Sequence, residues 1–145
     1  MIVKTLQNYT PEHANQIRRL MTQLSRNGKD KGEISRERLE EIIHSPYHDI
    51  LIATDDYGKI VGIASLSIIV TFHSKKAYLE DFVTDSSVRG QGVGSALWDK
   101  MLAWATAHGC TELNFTSGYD REPAHRFYLN HGADIYDTAF FRKSL

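Results

Sequence analysis

The run Arg89-Gly90-Gln91-Gly92-Val93-Gly94 sets three glycines in alternate positions behind an arginine, directly ahead of a stretch with helical periodicity. Such a run can receive a diphosphate. The first four amides of a helix lack intrahelical partners, and the macrodipole adds roughly half a positive charge at that end. Glycine lets a ligand approach the backbone closely, and Arg89 adds a full charge. Each glycine in a helix costs roughly 0.5–1 kcal/mol relative to alanine, so the cluster needs a reason. Anion binding is one reason; a sharp turn with close helix–sheet packing is the other. Ser95 stands where Gly-x-Gly-x-x-Gly needs its last glycine, and no Gly-Lys-Ser/Thr follows. The dinucleotide and nucleoside-triphosphate signatures are therefore absent, and a coenzyme diphosphate is the ligand expected.

Other chemistries find little support. His44 and His48 are four apart, but Ser45-Pro46 breaks the helix that would align them on a metal, and His-Glu-x-x-His and Cys-x-x-Cys are missing. No Gly-x-Ser-x-Gly elbow offers a hydrolytic nucleophile. Cys110 is the only cysteine, which rules out an internal disulfide and reads as a small buried hydrophobe. No metal is expected.

The elements that must carry the glycine run follow from periodicity. A strand near Ile2–Gln7 leads to a helix capped by Thr10 with Pro11 in its first turn and Ala14, Ile17, Met21 and Leu24 on one face. The polar loop 26–32 precedes a helix capped by Ser35 with the stripe Leu39, Ile42, Ile43. Strands are expected over 50–54, 60–70 and 77–84. The long helix after the glycines carries Val93, Leu97, Met101, Leu102 and Ala105 on one side and ends at His108-Gly109. A strand over 111–116, a helix marked by Pro123, Ala124, Phe127, Tyr128 and His131, and strands over 133–136 and 139–143 close the chain. The order β-α-α-β-β-β-α-β-α-β-β describes an α/β (α+β) fold, a mixed and mostly antiparallel sheet with helices on both faces.

At 145 residues, with 41% apolar and 24% charged residues, the chain suits a single domain spanning 1–145 with a substantial core. A formal net charge of −1 speaks against a nucleic-acid partner, and no apolar span suggests a membrane. The start Met1-Ile2-Val3-Lys4-Thr5-Leu6 has no secretion-signal pattern, which points to the cytoplasm.

Tyr78-Leu79-Glu80-Asp81-Phe82-Val83-Thr84 followed by residues 85–94 resembles the acetyl-CoA motif of the GCN5-related N-acetyltransferase superfamily, whose Arg/Gln-x-x-Gly-x-Gly/Ala pattern Arg89, Gly92 and Gly94 match. A second family motif is visible in Arg121-Glu122-Pro123-Ala124-His125-Arg126-Phe127-Tyr128 and His131-Gly132-Ala133.

The resemblance implies acetyl-CoA as cosubstrate and acetyl transfer to a primary amine within a ternary complex. Phe82, Val83 and Thr84 would offer main-chain groups to the pantetheine arm and thioester, and Arg89, Gly90, Gln91, Gly92, Val93, Gly94 and Ser95 would hold the diphosphate. Arg121 and Ala124 would border the coenzyme arm, although the family often has Asn at the first of these. Tyr128 matches the tyrosine that protonates the departing thiolate.

An alkylamine near pKa 10.4 is roughly 99.9% protonated at pH 7, so about 4–5 kcal/mol stands between it and attack. Glu80 is the candidate base. Asp81, expected on the opposite strand face, joins it in receiving a cation, while a cap or an ion pair with Arg142 would also explain the two carboxylates. A small-molecule amine is the expected acceptor. A protein N-acetyltransferase and a coenzyme-binding regulatory module without turnover are the alternatives, and homodimers are common in the superfamily.

Overall fold

The computed structural model describes residues 1–145 and runs β1 (Ile2–Thr5), α1 (Pro11–Leu24), α2 (Arg36–Ile43), β2 (His48–Thr54), β3 (Ile60–Val70), β4 (Lys75–Thr84), a 3-10 turn (Ser86–Val88), α3 (Val93–Ala107), β5 (Leu113–Asn114) and α4 (Glu122–Asn130). It divides into two compact units, Met1–Phe115 and Thr116–Leu145. The first holds a five-stranded sheet in the order β1-β2-β3-β4-β5. Every pair is antiparallel except β4 with β5, which α3 connects.

Both early helices start as their caps dictate. The Thr10 side chain accepts from the His13 amide at 3.0 Å, and Ser35 accepts from Arg38 at 3.1 Å. A cap of this kind stabilises a helix by about 1 kcal/mol. Ala14, Ile17 and Leu20 of α1 and Leu39 of α2 pack with Ile50, Ile52, Ile60 and Ile63 on one sheet face. Alternation sends Leu51, Ala53, Gly62 and Ala64 to the other face, where α3 lies. Leu20, outside the expected stripe, is fully buried, whereas Met21 and Leu24 of that stripe are only half-buried.

The buried side of α3 is Val93, Leu97, Trp98, Met101, Trp104 and Ala105, whereas Leu102, expected inside, is 41% exposed. The two indoles displace it. Trp104 Nε1 donates to Asp49 Oδ2 at 2.7 Å, giving the buried ring the polar partner it requires.

In the second unit, α4 has Pro in its first turn and closes through Ala133 N donating to Tyr128 O at 3.0 Å, with Gly132 at φ 86°. The strands expected over 133–136 and 139–143 do not form. An extended segment becomes a strand only through a ladder partner, and the backbone bonds of this stretch are local, Ala133 N to Tyr128 O and Thr138 N to Tyr136 O. No helix is long and apolar enough to cross a membrane.

Candidate active site

Strand β4 carries the carboxylates. Ala64 pairs with Phe82 and Leu66 with Leu79, so Glu80 and Asp81 together oppose Ser65 alone. This is a β-bulge, a two-against-one register that interrupts the ladder beside both carboxylates. Glu80 is exposed and Asp81 half-buried. Burial pushes the Asp81 carboxyl above its ordinary value and the negative charge of Glu80 adds to the rise, while the Lys31 ammonium opposes both. The arrangement favours a cation that would restore the charged form.

Strand β4 runs into the 3-10 turn and then into the glycine run. Gly90 sits at φ 73°, and Gly92, the residue before α3, at φ 81°, a left-handed conformation that glycine adopts at little cost. No side chain caps α3. Its first turn closes through Ala96 N to Gly92 O at 3.0 Å. Arg89, Gly90, Gln91 and Gly92 are exposed, whereas Val93 is buried. The helix is seated deeply. A Cβ on Gly62 of β3 would lie 2.8 Å from Leu97 Cδ1 and 3.1 Å from Val93 Cγ1, so the missing side chain at position 62 is what lets the head of α3 approach the sheet.

The turn is tied from the other side as well. Asp85, 4% exposed, accepts from the amide and hydroxyl of Ser87 at 3.0 and 2.9 Å, and from the Arg19 guanidinium. Burial pushes the Asp85 carboxyl up, but the bonds from the Ser87 amide, Arg19 and the Ser87 hydroxyl, with the Arg19 charge, hold it well below the usual carboxylate range. Sequence reasoning passed over Arg19 and Asp85. The signal was present in Asp85-Ser86-Ser87, an aspartate two residues before a serine at a strand end, and in the polar spacing Gln16, Arg19, Gln23 on α1.

The remaining expected residues belong to the second unit. Arg121 precedes α4 as its cap and is half-buried, as are Ala124 and Tyr128. Burial raises the Tyr128 phenol above its ordinary value while the Arg121 charge lowers it. The phenol is therefore protonated at neutral pH and able to donate. Its ring meets Phe127 edge to face at 5.8 Å. The first unit thus brings Glu80, Asp81, Phe82, Val83, Thr84 and the residues 89–95 onto one continuous strand–turn–helix.

An acetyltransferase architecture accounts for this fold, and the family comparison agrees: the acetyltransferase (GNAT) family profile matches residues 14–133, and the chain belongs to that family. It is 28% identical over 119 residues to the aminoglycoside N(6')-acetyltransferase type 1 of Serratia marcescens, covering 78% of this chain and 82% of the relative. It is 33% identical over 108 residues to the uncharacterized N-acetyltransferase YhdJ of Bacillus subtilis (strain 168), covering 74% and 75%. Among solved structures, an aminoglycoside acetyltransferase from an uncultured soil metagenomic sample, in complex with sisomicin, superposes with a TM-score of 0.87 at 18% identity over 99% of this chain and 95% of that one.

Proposed function

We propose that residues 1–145 act as one N-acetyltransferase domain, moving an acetyl group from acetyl-CoA to a primary amine of a small cationic molecule by direct transfer. The observation that carries the proposal is the continuity of the bulged, carboxylate-bearing strand β4 with the uncapped, glycine-led start of α3. A diphosphate on the amides of that helix start would lay the pantetheine arm along Phe82, Val83 and Thr84, bringing the thioester beside the bulge. Main-chain donors at an interrupted ladder suit the oxyanion of a tetrahedral intermediate.

In this reading Asp81 attracts the acceptor's cation and Glu80 takes a proton from the attacking ammonium, directly or through water. The amine attacks the thioester carbon, the carbon–sulfur bond breaks, and Tyr128 supplies a proton to the departing thiolate, the role the family pattern assigns to its position. The phenol's raised pKa keeps it in the donating form. Arg89 and the helix-start amides within residues 90–95 hold the diphosphate, with Gln91, whose own amide donates to Val88 O, shaping the turn; Arg121 and Ala124 border the coenzyme arm.

The aminoglycoside acetyltransferases among the relatives support polyamine-like acceptors, for which adjacent carboxylates are suitable partners. The lone cysteine suits a reducing, cytoplasmic setting. An acetyl-CoA-dependent screen of aminoglycosides, polyamines, amino acids and peptides with mass detection tests the proposal. An acetylated small amine is the expected product. Tight acetyl-CoA binding without any product across the panel would sink it.

A further inference from the structure

We propose that Arg19 and Asp85 are positioning residues that set the diphosphate cradle from the α1 side, giving that helix a role in coenzyme affinity besides its place in the core. The inference rests on the reading of residues 89–95 as the diphosphate site. Gly90 and Gly92 both adopt left-handed backbone angles, and the space where each Cβ would sit is open to 4 Å, so no side chain holds the turn at these two positions. Its geometry must come from its two ends. The downstream end is Val93 and Leu97 seated over Gly62.

The upstream end is a relay of hydrogen bonds. Arg19 reaches Asp85; Asp85 holds Ser87 through both its amide and hydroxyl; and Ser87 O accepts from Gln91 Nε2 at 3.2 Å. Gln91 lies between the two left-handed glycines, and its own amide donates to Val88 O at 3.2 Å. Arg19 is itself fixed, because Nη2 donates to Ile60 O at 3.1 Å. Its helical neighbours act alike: Gln16 Oε1 accepts from Ile60 N at 2.7 Å, and Gln23 Oε1 accepts from Ser86 N at 2.9 Å.

One polar stripe on α1 therefore grips the start of β3 and the exit of β4 together. The pair is half-buried, its carboxylate inside and its guanidinium partly exposed, so its value lies less in stability than in fixing geometry, which is what a glycine turn lacks. Asp85 also meets the backbone ladder, donating its amide to Val61 O at 2.8 Å. The relay is thus anchored in the sheet rather than in the loop it directs.

The test uses Arg19→Met and Asp85→Asn in the full chain, with two probes: acetyl-CoA by calorimetry, and acetyl-pantetheine, which lacks the diphosphate, by NMR titration. Both variants are expected to weaken acetyl-CoA by about tenfold or more, equivalent to about 1.4 kcal/mol, and to leave acetyl-pantetheine within twofold. Equal losses for both probes would indicate a merely structural role and overturn the proposal, as would unchanged acetyl-CoA binding. Arg19→Lys, which keeps the charge, is expected to recover part of the loss. If Asp85→Asn does not fold, Arg19→Met decides, since that side chain is 37% exposed. Gly92→Asp separates the underlying reading. Should it leave acetyl-CoA affinity intact in a folded protein, the diphosphate placement itself fails. Should it abolish acetyl-CoA binding while Arg19→Met and Asp85→Asn do not change it, only the positioning role fails.

Discussion

Gly62→Ala adds one methyl group beneath the head of α3, and its effect can be worked from the contacts. The new carbon would stand 2.8 Å from Leu97 Cδ1, 3.1 Å from Val93 Cγ1 and 3.5 Å from Thr84 Cγ2, where the first distance is shorter than real carbon contacts allow. Leu97 has no exposed surface and Val93 only 5%, so neither side chain has an empty rotamer to move into, and Val93 is also stiff at its branched carbon. The helix must lift instead. Overpacking of this kind costs about 1–3 kcal/mol. In a chain near 150 residues, 1 kcal/mol moves Tm by about 2–4 °C, so a fall of roughly 2–12 °C is expected in a thermal melt. Because the lifted turn begins at Gly92, acetyl-CoA affinity should fall as well, and calorimetry on the folded variant at low temperature reads that loss separately. A variant with wild-type Tm and wild-type affinity would refute the claim that position 62 sets how closely α3 seats.

Tyr128→Phe should lower kcat by about 10²–10⁴-fold with little change in acetyl-CoA affinity if the phenol protonates the leaving thiolate, and steady-state kinetics with an identified acceptor measures both. Glu80→Gln should lower kcat by about 10²–10⁴-fold at neutral pH in steady-state kinetics; an unaltered rate would assign the amine's proton to another group or to bulk water. Asp81 has a raised pKa, so its charge is lost on acidification above the ordinary carboxylate value of 3.8, and acceptor KM should climb as pH falls through that raised value. Asp81→Asn should raise acceptor KM at neutral pH and remove this dependence. A raised folded-state pKa means that the ionised form destabilises the native state at higher pH, so the same substitution should not lower Tm at pH 7.

Local signals were legible wherever chemistry is written in neighbouring residues. Thr10-Pro11 and Ser35 announced helix starts, Gly132 announced a helix end, and the alternate glycines announced the turn before α3. Signals that depend on a distant partner were not. The bulge at Glu80 and Asp81 is a property of how many residues β3 offers opposite them, which no single strand records. Leu102 and Trp104 both satisfy an apolar helix pattern, and only the packing against β2, where Asp49 accepts from the Trp104 indole, shows that Trp104 rather than Leu102 turns inward. The residues 133–145 have an alternation that suits strands, but a ladder partner is a tertiary fact. Gly62 lies within the strand pattern 60–70, and nothing in its neighbours records that Leu97 and Val93 stand above it.

Arg18 and Arg19 are consecutive on α1, yet they tether different parts of the chain. Arg19 serves the buried carboxylate before α3, whereas Arg18 pairs with Asp30, its Nε 2.9 Å from each oxygen and its Nη2 2.7 Å from Oδ2, holding the loop that also carries Lys31. The Arg18 pair is exposed and correspondingly weak. Two neighbouring positions thus separate a replaceable fastening from a permanent one. On the proposed reading of the site, an exchange of loop 26–32 would alter which amines are accepted while leaving the Arg19–Asp85 tether of the coenzyme end in place.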